Sequence, residues 1–589
     1  MPSRISTRSL SPLLFALTCA VAPAVPAQQG KLTDVSVQGY IYEPQKLAPT
    51  QARIASLQVP AGFALNRFAE GLDNPRMLAV AGNGDVYVTQ RIPGNVVLLR
   101  DTDRDGVADV QRIVVRLKDA HGIAIRGRQI YLTDVKKVYE APLLEDGSVG
   151  RLRTIARGLP DGGQHPNRTL GFSPSGDLFV SVGSTCNECR EPNPENATLL
   201  KLSDESRKGR AIYASGLRNT IGFGWQPVSG KLFGFDHGID WLGNDEQSEE
   251  LNELVEGHRY GWPFVYDNDQ INPHSEPVKL TSEQWAKLSD EPVGMYTAHA
   301  APMQMTFYTG TALPGAANDA FIAMRGSWNR KPPSGYEVVR IRFDQAGAFA
   351  GLEPFVTGFM VPTPEGAHGY FGRPVGIAQA GDGSLLFGDD TNNTMYRVSA
   401  ATAPAPAIEP QTLASEIFSA APRTLKVTST AFTDGGNIPK RYSDYGAGIS
   451  PPLQIDNVPA GTRSLVLMME DPAALAPLPF VHWTGINIAA DRRVVPENVP
   501  TIYEPLRGDP ARQGSTSKST TGYFGPRPPV GDPPHRYFFQ VFALDTTLDL
   551  PAGFNRHALL KAMQGHVTAQ GVTVGLFAAP DVTAAKANE

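Results

Sequence analysis

The chain has few cysteines, no long apolar segment beyond its N-terminus and no strongly basic run. Its 589 residues include 3 cysteines, Cys19, Cys186 and Cys189, and the last two alone cannot complete a structural zinc site. A c-type haem attachment would need histidine where Arg190 follows Cys189. With a net charge of -6 and no basic patch, nucleic acid is not expected as a partner. No later segment approaches the roughly 18 apolar residues of a membrane span.

The first 27 residues are typical of a secretory signal peptide. Arg4 and Arg8 precede an apolar stretch, and small residues occupy positions -3 and -1 of a cut after Ala27. We therefore predict a periplasmic or secreted protein. Cys186 and Cys189 are then its remaining cysteines, and an oxidising compartment favours a local disulfide between them.

One pattern of apolar strand, turn and second strand occurs six times between about Met77 and Val398. Its first strands begin at or just after Arg76, His121, Arg168, Arg218, Pro302 and Arg373. Turn residues and a second apolar strand follow, as in hairpins. The spacing indicates propeller blades with insertions rather than a solenoid. Because the innermost strand of each blade lines the central channel, we expect this mostly cationic set on one rim, facing one ligand.

Length and composition indicate two domains. The chain's 589 residues exceed the length of one ordinary domain, and a hydrophobic share of 41% is enough for substantial cores. An Ala/Pro-rich stretch from Ala400 to Ala407 predicts a linker. We predict an all-β chain with a signal peptide (1–27), a six-bladed β-propeller (28–399), a linker (400–422) and a smaller β-rich domain (423–582).

Three side chains of the propeller suggest chemistry. His165 lies near the expected rim, and a neutral imidazole is well matched to proton abstraction near neutral pH. Arg218 and Arg325 carry guanidinium groups that bind carboxylates bidentately, so their convergence would indicate a polyanionic ligand. The alternatives are that His165 is structural and that the arginines pair with Asp389 and Asp390.

An acidic turn provides a separate candidate metal site. Oxygen ligands at alternate positions before a glycine suit Ca²⁺, and this turn offers Asp101, Asp103, Asp105 and Asp109. Arg112 stands where an EF-hand has its bidentate glutamate. We predict a partial calcium loop, with a solvated turn as the alternative.

Roughly residues 60–399 resemble a known family. Gly216-Leu217-Arg218-Asn219, Glu250-Leu251-Asn252 and Tyr260-Gly261-Trp262-Pro263 together resemble the soluble sugar dehydrogenases that depend on pyrroloquinoline quinone (PQQ), in the sorbosone and aldose dehydrogenase branch. Those proteins are six-bladed propellers. The resemblance implies an exported enzyme that oxidises an aldose, a sugar aldehyde or a related alcohol with PQQ and Ca²⁺ and passes electrons to an external acceptor.

The resemblance also implies roles for residues. His165 matches the general base, and Arg218 matches a group that stabilises charge developing on the quinone while hydride is transferred to it. The predicted cofactor contacts are Arg218, Asn219, Arg325, Arg373 and the rim residue His121. Carbonyls of Gly238 and Ile239 match the clamp for the catalytic calcium, and Glu250 and Tyr260 match ligands of a second one. Gln164 replaces the family's aspartate before the base, and Ile239 replaces its proline.

The region from about 424 to 579 resembles a second family. Asp471-Pro472, Phe480-Val481-His482-Trp483, Gly525-Pro526-Arg527-Pro528-Pro529 and His535-Arg536-Tyr537 resemble the bacterial Raf-kinase-inhibitor-like phosphatidylethanolamine-binding proteins. The resemblance implies a pocket for a small anion or phosphate headgroup, lined by Asp471, His482, Gly525, His535 and Tyr537. Ala473 and Ala474 replace a family acidic residue, and a passive β-domain is the alternative.

Two rival functions stay open for the propeller. A calcium-dependent lactonase would bind its metal with carboxylates and would not need so many arginines. A non-catalytic propeller would use the cationic ring to capture an anionic ligand, since propellers host all three functions.

Overall fold

The computed structural model describes residues 41–202, 209–401, 412–474, 479–505 and 511–580. The predicted signal peptide and residues 402–411 of the predicted linker lie outside these residues. Within the described part of the chain, no helix combines the length and apolarity that a bilayer crossing requires.

The N-terminal region consists almost entirely of short strands. Its elements are β1 (Gln45–Lys46), α1 (Gln51–Ala55), β2 (Phe63–Ala69), β3 (Pro75–Val80), β4 (Val86–Gln90), β5 (Asn95–Arg100), β6 (Val110–Arg116), β7 (Ile123–Arg126), β8 (Gln129–Thr133), β9 (Val138–Pro142), β10 (Arg153–Ala156), β11 (Leu170–Phe172), β12 (Leu178–Val182), β13 (Thr198–Leu202), β14 (Arg210–Ser215), β15 (Gly222–Trp225), β16 (Leu232–Asp236), β17 (Glu249–Leu254), β18 (Val265–Tyr266), β19 (Gln270–Ile271), α2 (Ser282–Ala286), β20 (Gly294–Tyr296), β21 (Pro302–Phe307), β22 (Ala320–Met324), β23 (Glu337–Phe343), β24 (Phe349–Val356), β25 (Met360–Pro362), β26 (His368–Tyr370), β27 (Pro374–Gln379), β28 (Leu385–Asp389) and β29 (Thr394–Ala400).

These strands form six four-stranded sheets, the blades of a propeller. The sheet orders are β3-β4-β5-β6, β7-β8-β9-β10, β11-β12-β13-β14, β15-β16-β17-β20, β21-β22-β23-β24 and β27-β28-β29-β2. The sixth blade combines the first and last long strands of the region, because β2 pairs antiparallel with β29. This architecture confirms the predicted fold class.

The sequence pattern locates the innermost strands. Each of the six repeats leads into the first strand of a blade, namely β3, β7, β11, β15, β21 and β27. These first strands contact one another at β3/β7, β7/β11, β15/β21, β21/β27 and β27/β3. Middle strands such as β4, β16 and β22 are buried along their whole length. Blades pack against each other through both faces, so side chains on both faces of these strands are buried.

The C-terminal region is a second β-structure. Its elements are α3 (Ala414–Ile417), β30 (Lys426–Thr428), β31 (Gly436–Asn437), a 3₁₀ turn (Lys440–Tyr442), β32 (Leu453–Asp456), β33 (Ser464–Asp471), β34 (Phe480–Ala489), β35 (Val494–Val495), β36 (Arg512–Gln513), β37 (His535–Leu544), α4 (Arg556–Met563) and β38 (Val567–Phe577). A six-stranded sheet of order β31-β38-β37-β33-β34-β36 faces a smaller sheet of order β30-β32-β35. Trp483, Tyr537 and Phe539 lie in the core beside these sheets.

The outer strand of the first blade packs against this second region. The backbone N–H of Gln111 donates to Gly553 at 2.9 Å, and the N–H of Asn555 donates to Asp109 at 2.9 Å. The side chain of Gln111 also donates to the Ser519 hydroxyl at 2.8 Å. The contact satisfies polar groups on an edge strand that would otherwise be open to pairing.

Candidate functional site

His165 lies on the loop before β11 and is held as a neutral base. Its Nδ1 lies 3.1 Å from the Ser184 carbonyl and 2.9 Å from the Ser184 hydroxyl. The hydroxyl donates its own proton to the Cys186 carbonyl at 2.6 Å, so both groups facing Nδ1 are acceptors. Nδ1 therefore carries the proton, and Nε2 keeps its lone pair. Burial, with Arg218 and His237 nearby, lowers the pKa of His165 to about 2.

Arg168 is fully buried below this loop. Its guanidinium donates to the carbonyl oxygens of His165 and Pro160, each at 3.0 Å. Burial lowers the pKa of Arg168 to about 10. This residue of the sequence pattern therefore positions the His165 loop rather than facing a ligand.

Arg218 is held by a dense set of acceptors. Its Nε donates to the Asn187 carbonyl at 2.9 Å and its Nη2 to the Asn187 side-chain oxygen at 2.8 Å. Nη2 also contacts Asp240 at 2.6 Å, and Gln164 donates to the same carboxylate at 3.1 Å. The backbone N–H groups of Arg218 and Asn219 both donate to Asp236, and burial raises the pKa of Asp236 to about 6.

Arg76, Arg325 and Arg373 lie near one another on the same side of the propeller. Asp390 binds Arg325 at 2.9 Å, as the alternative interpretation expected, and it also binds Arg76 at 2.6 Å. The guanidinium of Arg373 instead donates to the carbonyls of Arg325 and Gly326. It lies over two tyrosine rings, which leaves its charge without a contacting carboxylate among the described residues.

Two more histidines lie in this cationic field. Burial, then Arg218, lowers the pKa of His237 to about 3, with further contributions from Arg325 and Arg76. His121 is fully buried, and its Nδ1 faces the Arg168 carbonyl at 3.0 Å. Its Nε2 is buried, and no residue in the described part of the chain forms a hydrogen bond with it. The sequence reasoning missed His237, although it follows the strand that leads to Gly238.

The predicted calcium clamp is a tight backbone turn after β16. The N–H of Gly238 donates to Glu249 at 2.9 Å and that of Ile239 to Gln247 at 3.1 Å, while neither carbonyl accepts a hydrogen bond from a described residue. A Cβ on Gly238 would lie 2.7 Å from the Gln247 carbonyl oxygen. Glycine is required there, and the two carbonyls are available to a hard cation.

The second predicted calcium site is a small acidic cavity. Glu250 accepts from the Gln247 amide at 2.8 Å and from the Asp267 N–H at 2.7 Å. Glu250 and Tyr260 line the cavity with Asp267, Asp269, Asp290 and Glu291. The Tyr260 hydroxyl, in contrast, is used in a turn, where it donates to the Glu253 carbonyl and accepts from the Val255 N–H, each at 2.7 Å.

In the acidic turn between β5 and β6, three of the four predicted carboxylates cluster, and the fourth pairs with a lysine of the other region. Carboxylate oxygens of Asp101, Asp103 and Asp109 lie within 4.8 Å of one another. Asp105 lies apart from this cluster and binds Lys561 of the C-terminal region at 2.9 Å. Lys561 also binds Asp103. The turn thus makes an ion-pair contact between the two regions that the sequence reasoning missed.

Half-buried aromatic side chains flank the cationic side of the propeller. Trp241 directly follows Asp240, and its ring lies 5.2 Å from that of Trp328. The side chain of Asn329 donates to the Asp240 carbonyl at 2.8 Å, which ties the two loops together. Aromatic faces beside polar groups are typical of ligand sites.

The C-terminal candidate pocket brings together all five predicted residues. Asp471 ends β33 and binds Nδ1 of His535 at 2.8 Å. Nδ1 of His482 faces the Phe524 carbonyl at 2.8 Å, and burial lowers the pKa of His482 to about 4. Tyr537 is fully buried beside both imidazoles. Gly525 leaves no room for a side chain, because a Cβ would lie 2.6 Å from the Asp444 nitrogen.

Comparisons with known proteins match the N-terminal and C-terminal regions to different families. A family model described as glucose / sorbosone dehydrogenase matches residues 72–329, and a TrAA12-like model matches residues 264–401. A structure of a Trichoderma reesei protein of carbohydrate-active enzyme family AA12 covers 61% of this chain and 100% of its own, with TM-score 0.52 and 21% identity. A structure of the PQQ domain of Coprinopsis cinerea pyranose dehydrogenase covers 60% of this chain and 98% of its own, with TM-score 0.50 and 19% identity. The N-terminal region is a sugar-dehydrogenase-like propeller.

The C-terminal region matches the phosphatidylethanolamine-binding protein model over residues 428–578. A UPF0098 protein of Methanothermobacter thermautotrophicus is 42% identical over 153 residues, which are 26% of this chain and 98% of that protein. Through this C-terminal domain, the chain belongs to the UPF0098 protein family.

Proposed function

We propose that the protein is an exported, PQQ- and calcium-dependent oxidoreductase that acts on an aldose, a sugar aldehyde or a related alcohol. The observation that carries the proposal is the juxtaposition of a neutral imidazole with a free Nε2, His165, and the guanidinium of Arg218. The fold of the region and the family model that matches it support the same class.

The residues fit a carboxylated quinone. Among the described residues, no carboxylate contacts the guanidinium of Arg373, and no group forms a hydrogen bond with the buried Nε of Arg76 or Nε2 of His121. The free carbonyls of Gly238 and Ile239 suit Ca²⁺. Arg218, Asn219, Arg325 and Arg373 would hold the quinone with this calcium. When bound, PQQ would supply the two-electron acceptor for the substrate carbon's hydride.

The chain's own residues then have defined tasks. Nε2 of His165 takes the proton from the substrate hydroxyl as the hydride leaves. Asn187 and Asp240 fix the guanidinium of Arg218, which stabilises negative charge developing in the site. Trp241 and Trp328 provide an apolar wall against which sugar C–H groups can pack. An external acceptor must reoxidise the site.

One experiment tests the function. Purified apoprotein is titrated with PQQ in the presence of Ca²⁺, and absorbance and dye reduction are followed with an aldose panel. Stoichiometric quinone uptake with sugar-dependent dye reduction is the expected result, and absence of uptake would contradict it. Uptake without turnover would favour the anion-binding propeller, and lactone hydrolysis with Ca²⁺ alone would favour the lactonase.

We also propose that the C-terminal pocket binds a small anion. The Tyr537 hydroxyl is buried with no hydrogen-bond partner among the described residues, next to His482 and the His535–Asp471 pair. An anion could accept a hydrogen bond from the Tyr537 hydroxyl. Phosphate titration by NMR should shift histidine signals of the wild type and not those of His535→Ala, while His566→Ala serves as a control on the surface. Equal shifts in both variants would contradict the assignment.

A further inference from the structure

A cleft of about 480 Å³ lies between the propeller and the C-terminal domain. The propeller lines it with residues 46–49, 71–73 and 391–393, and the C-terminal domain lines it with Ala474, Phe480, Ser517 and Lys518. Its volume lies within the range of small-molecule sites. Neither domain alone forms its walls.

The walls combine apolar surface with positive charge. Leu72 is fully buried at the base, and Leu47 and Phe480 add apolar side chains. Lys518 pairs with Asp73 at 3.0 Å. Lys46 reaches only the Thr391 carbonyl, at 3.4 Å, and no described carboxylate pairs with it. An apolar body with one anionic group would satisfy both features.

The cleft lies beside both candidate sites without belonging to either. The ring of Phe480 lies 4.7 Å from that of His482 in the C-terminal pocket. Thr391 directly follows Asp390, which binds Arg76 and Arg325 in the propeller. From this placement we propose that the cleft is a binding site for a small amphiphilic anion, which contacts both domains at once.

A fluorescent probe tests the cleft in the full-length protein. The probe is 8-anilino-1-naphthalenesulfonate, and its uncharged counterpart is N-phenyl-1-naphthylamine. Lys46→Gln should weaken the sulfonate at least fivefold and leave the uncharged compound unchanged, whereas Ala48→Trp should weaken both by filling the cleft. Lys426→Gln, which removes an exposed lysine elsewhere, is the matched control.

Competition separates the cleft from the other cationic sites. Displacement of the probe by inorganic phosphate would place it in the C-terminal pocket, and displacement by PQQ would place it in the propeller site. Either result, or equal binding to wild type and both cleft variants, would overturn the proposal.

A second inference concerns Asn187 and rests on the proposed function. Asn187 lies inside the Cys186–Cys189 disulfide loop and accepts four hydrogen bonds. Two come from Arg218, one from the Asp240 N–H at 2.9 Å and one from the Trp262 indole at 3.1 Å. We infer that Asn187 is the positioning residue for Arg218 and that the disulfide fixes it in place.

The arrangement explains why a short disulfide lies beside the site. A guanidinium near a reacting centre must be held within a fraction of an ångström, which requires support from outside the contact itself. The Asp240 carboxylate neutralises part of the Arg218 charge. Asn187 orients the guanidinium, because its backbone carbonyl accepts from Nε and its side-chain oxygen accepts from Nη2. Glu188 of the same loop binds Asn272 at 2.8 Å, which anchors the loop's other side.

The test reads Arg218 directly, with and without quinone. In ¹⁵N-arginine-labelled protein, the Nη–H signals assigned by Arg218→Lys should exchange at least tenfold faster in Asn187→Ala, which removes the side-chain acceptor of Nη2. The Nε–H signal should exchange faster in Cys186→Ser/Cys189→Ser, which frees the loop carbonyl that accepts from Nε. Asn187→Asp, which keeps both acceptors, should retain slow exchange. Asn193→Ala, a nearby turn residue, is the control.

Quinone titration of the same variants completes the test. With PQQ and Ca²⁺, kcat should fall more than quinone affinity in Asn187→Ala. Unchanged Nη–H exchange in Asn187→Ala would overturn the positioning role. Absence of quinone uptake by the wild type would contradict the proposed function and leave the exchange result to decide the role of Asn187.

Discussion

The two candidate sites surround their histidines with opposite charge. In the propeller, His165 and His237 face guanidinium groups, and burial together with those cations keeps both imidazoles neutral. In the C-terminal pocket, His535 is paired directly with the Asp471 carboxylate. A neutral imidazole among cations can accept a proton while the cations hold an anion. An imidazole bound to a carboxylate is oriented to donate, which suits binding more than proton abstraction.

The largest effect should follow loss of the propeller base. His165→Ala removes the only group we assign to proton abstraction, so kcat should fall by about 10²- to 10⁴-fold. Quinone and calcium uptake should persist, because the arginines and the two carbonyls remain. Dye-reduction kinetics and absorbance titration measure the two properties separately.

The matched variant lies in the other site. His482→Ala should leave sugar-dependent turnover unchanged, since His482 belongs to the C-terminal pocket. Turnover by His165→Ala at the wild-type rate would remove His165 as the base, and equal losses in both variants would indicate that the two sites are not separate.

The next effect concerns the buried carboxylate shared by Arg76 and Arg325. Asp390→Asn leaves two guanidinium groups without their common partner, so the free energy of unfolding should fall by about 3 kcal/mol. Urea unfolding of the apoprotein measures it. Asp382→Asn, at a more exposed pair with Arg397, should cost less than about 1 kcal/mol. Similar losses in both variants would contradict a special role for Asp390.

These residues also show how far the sequence could lead. The strand pattern and its turn residues predicted the six blades and placed Arg76, Arg218 and Arg373 at the first strands. These features depend on the order of strands and turns within each blade, and the repetition of that order is visible in the sequence. The predicted residues of the C-terminal pocket lie close together because their short motifs fall on three neighbouring strands, β33, β34 and β37, and on one loop.

The partners of the propeller arginines could not be predicted in the same way. Asp390 meets Arg76 across a sequence separation of 314 residues, and Asn187 meets Arg218 across 31 residues. Only the arrangement of blades and the path of the loops decide which acidic or amide group reaches each guanidinium. Asp389 and Asp390 were both candidates, and side-chain direction at the end of β28 selected Asp390.

A smaller effect is expected in the pH dependence of the free energy of unfolding, and one histidine variant in each site measures it separately. The folded-state pKa of His482 is about 4, below the value of about 6.5 for an unfolded chain. The unfolded state therefore binds the extra proton as pH falls below 6.5, and this group's share of stability is lost in that window. His482→Gln should lose about 2 kcal/mol less than wild type between pH 7 and pH 5.

The same comparison applies to the propeller. His165→Gln should flatten the pH dependence by a similar amount, because the folded pKa of His165 is also far below 6.5. Urea unfolding at pH 7, 6 and 5 measures both variants. A wild-type-like slope in either variant would show that its histidine already binds a proton in the folded state.

The smallest effect tests the contact between the regions. Lys561 binds Asp103 and Asp105 of the acidic turn and is half exposed, so Lys561→Gln should change the free energy of unfolding by less than about 1 kcal/mol. Yet it frees the Asp103 carboxylate beside Asp101 and Asp109. If these three form the predicted calcium loop, Ca²⁺ should bind the variant more tightly in calorimetry, because cation and lysine compete for the same oxygens. Asp101→Asn in the Lys561→Gln background should abolish that gain, and an unchanged calcium isotherm would identify the turn as an ion-pair contact alone.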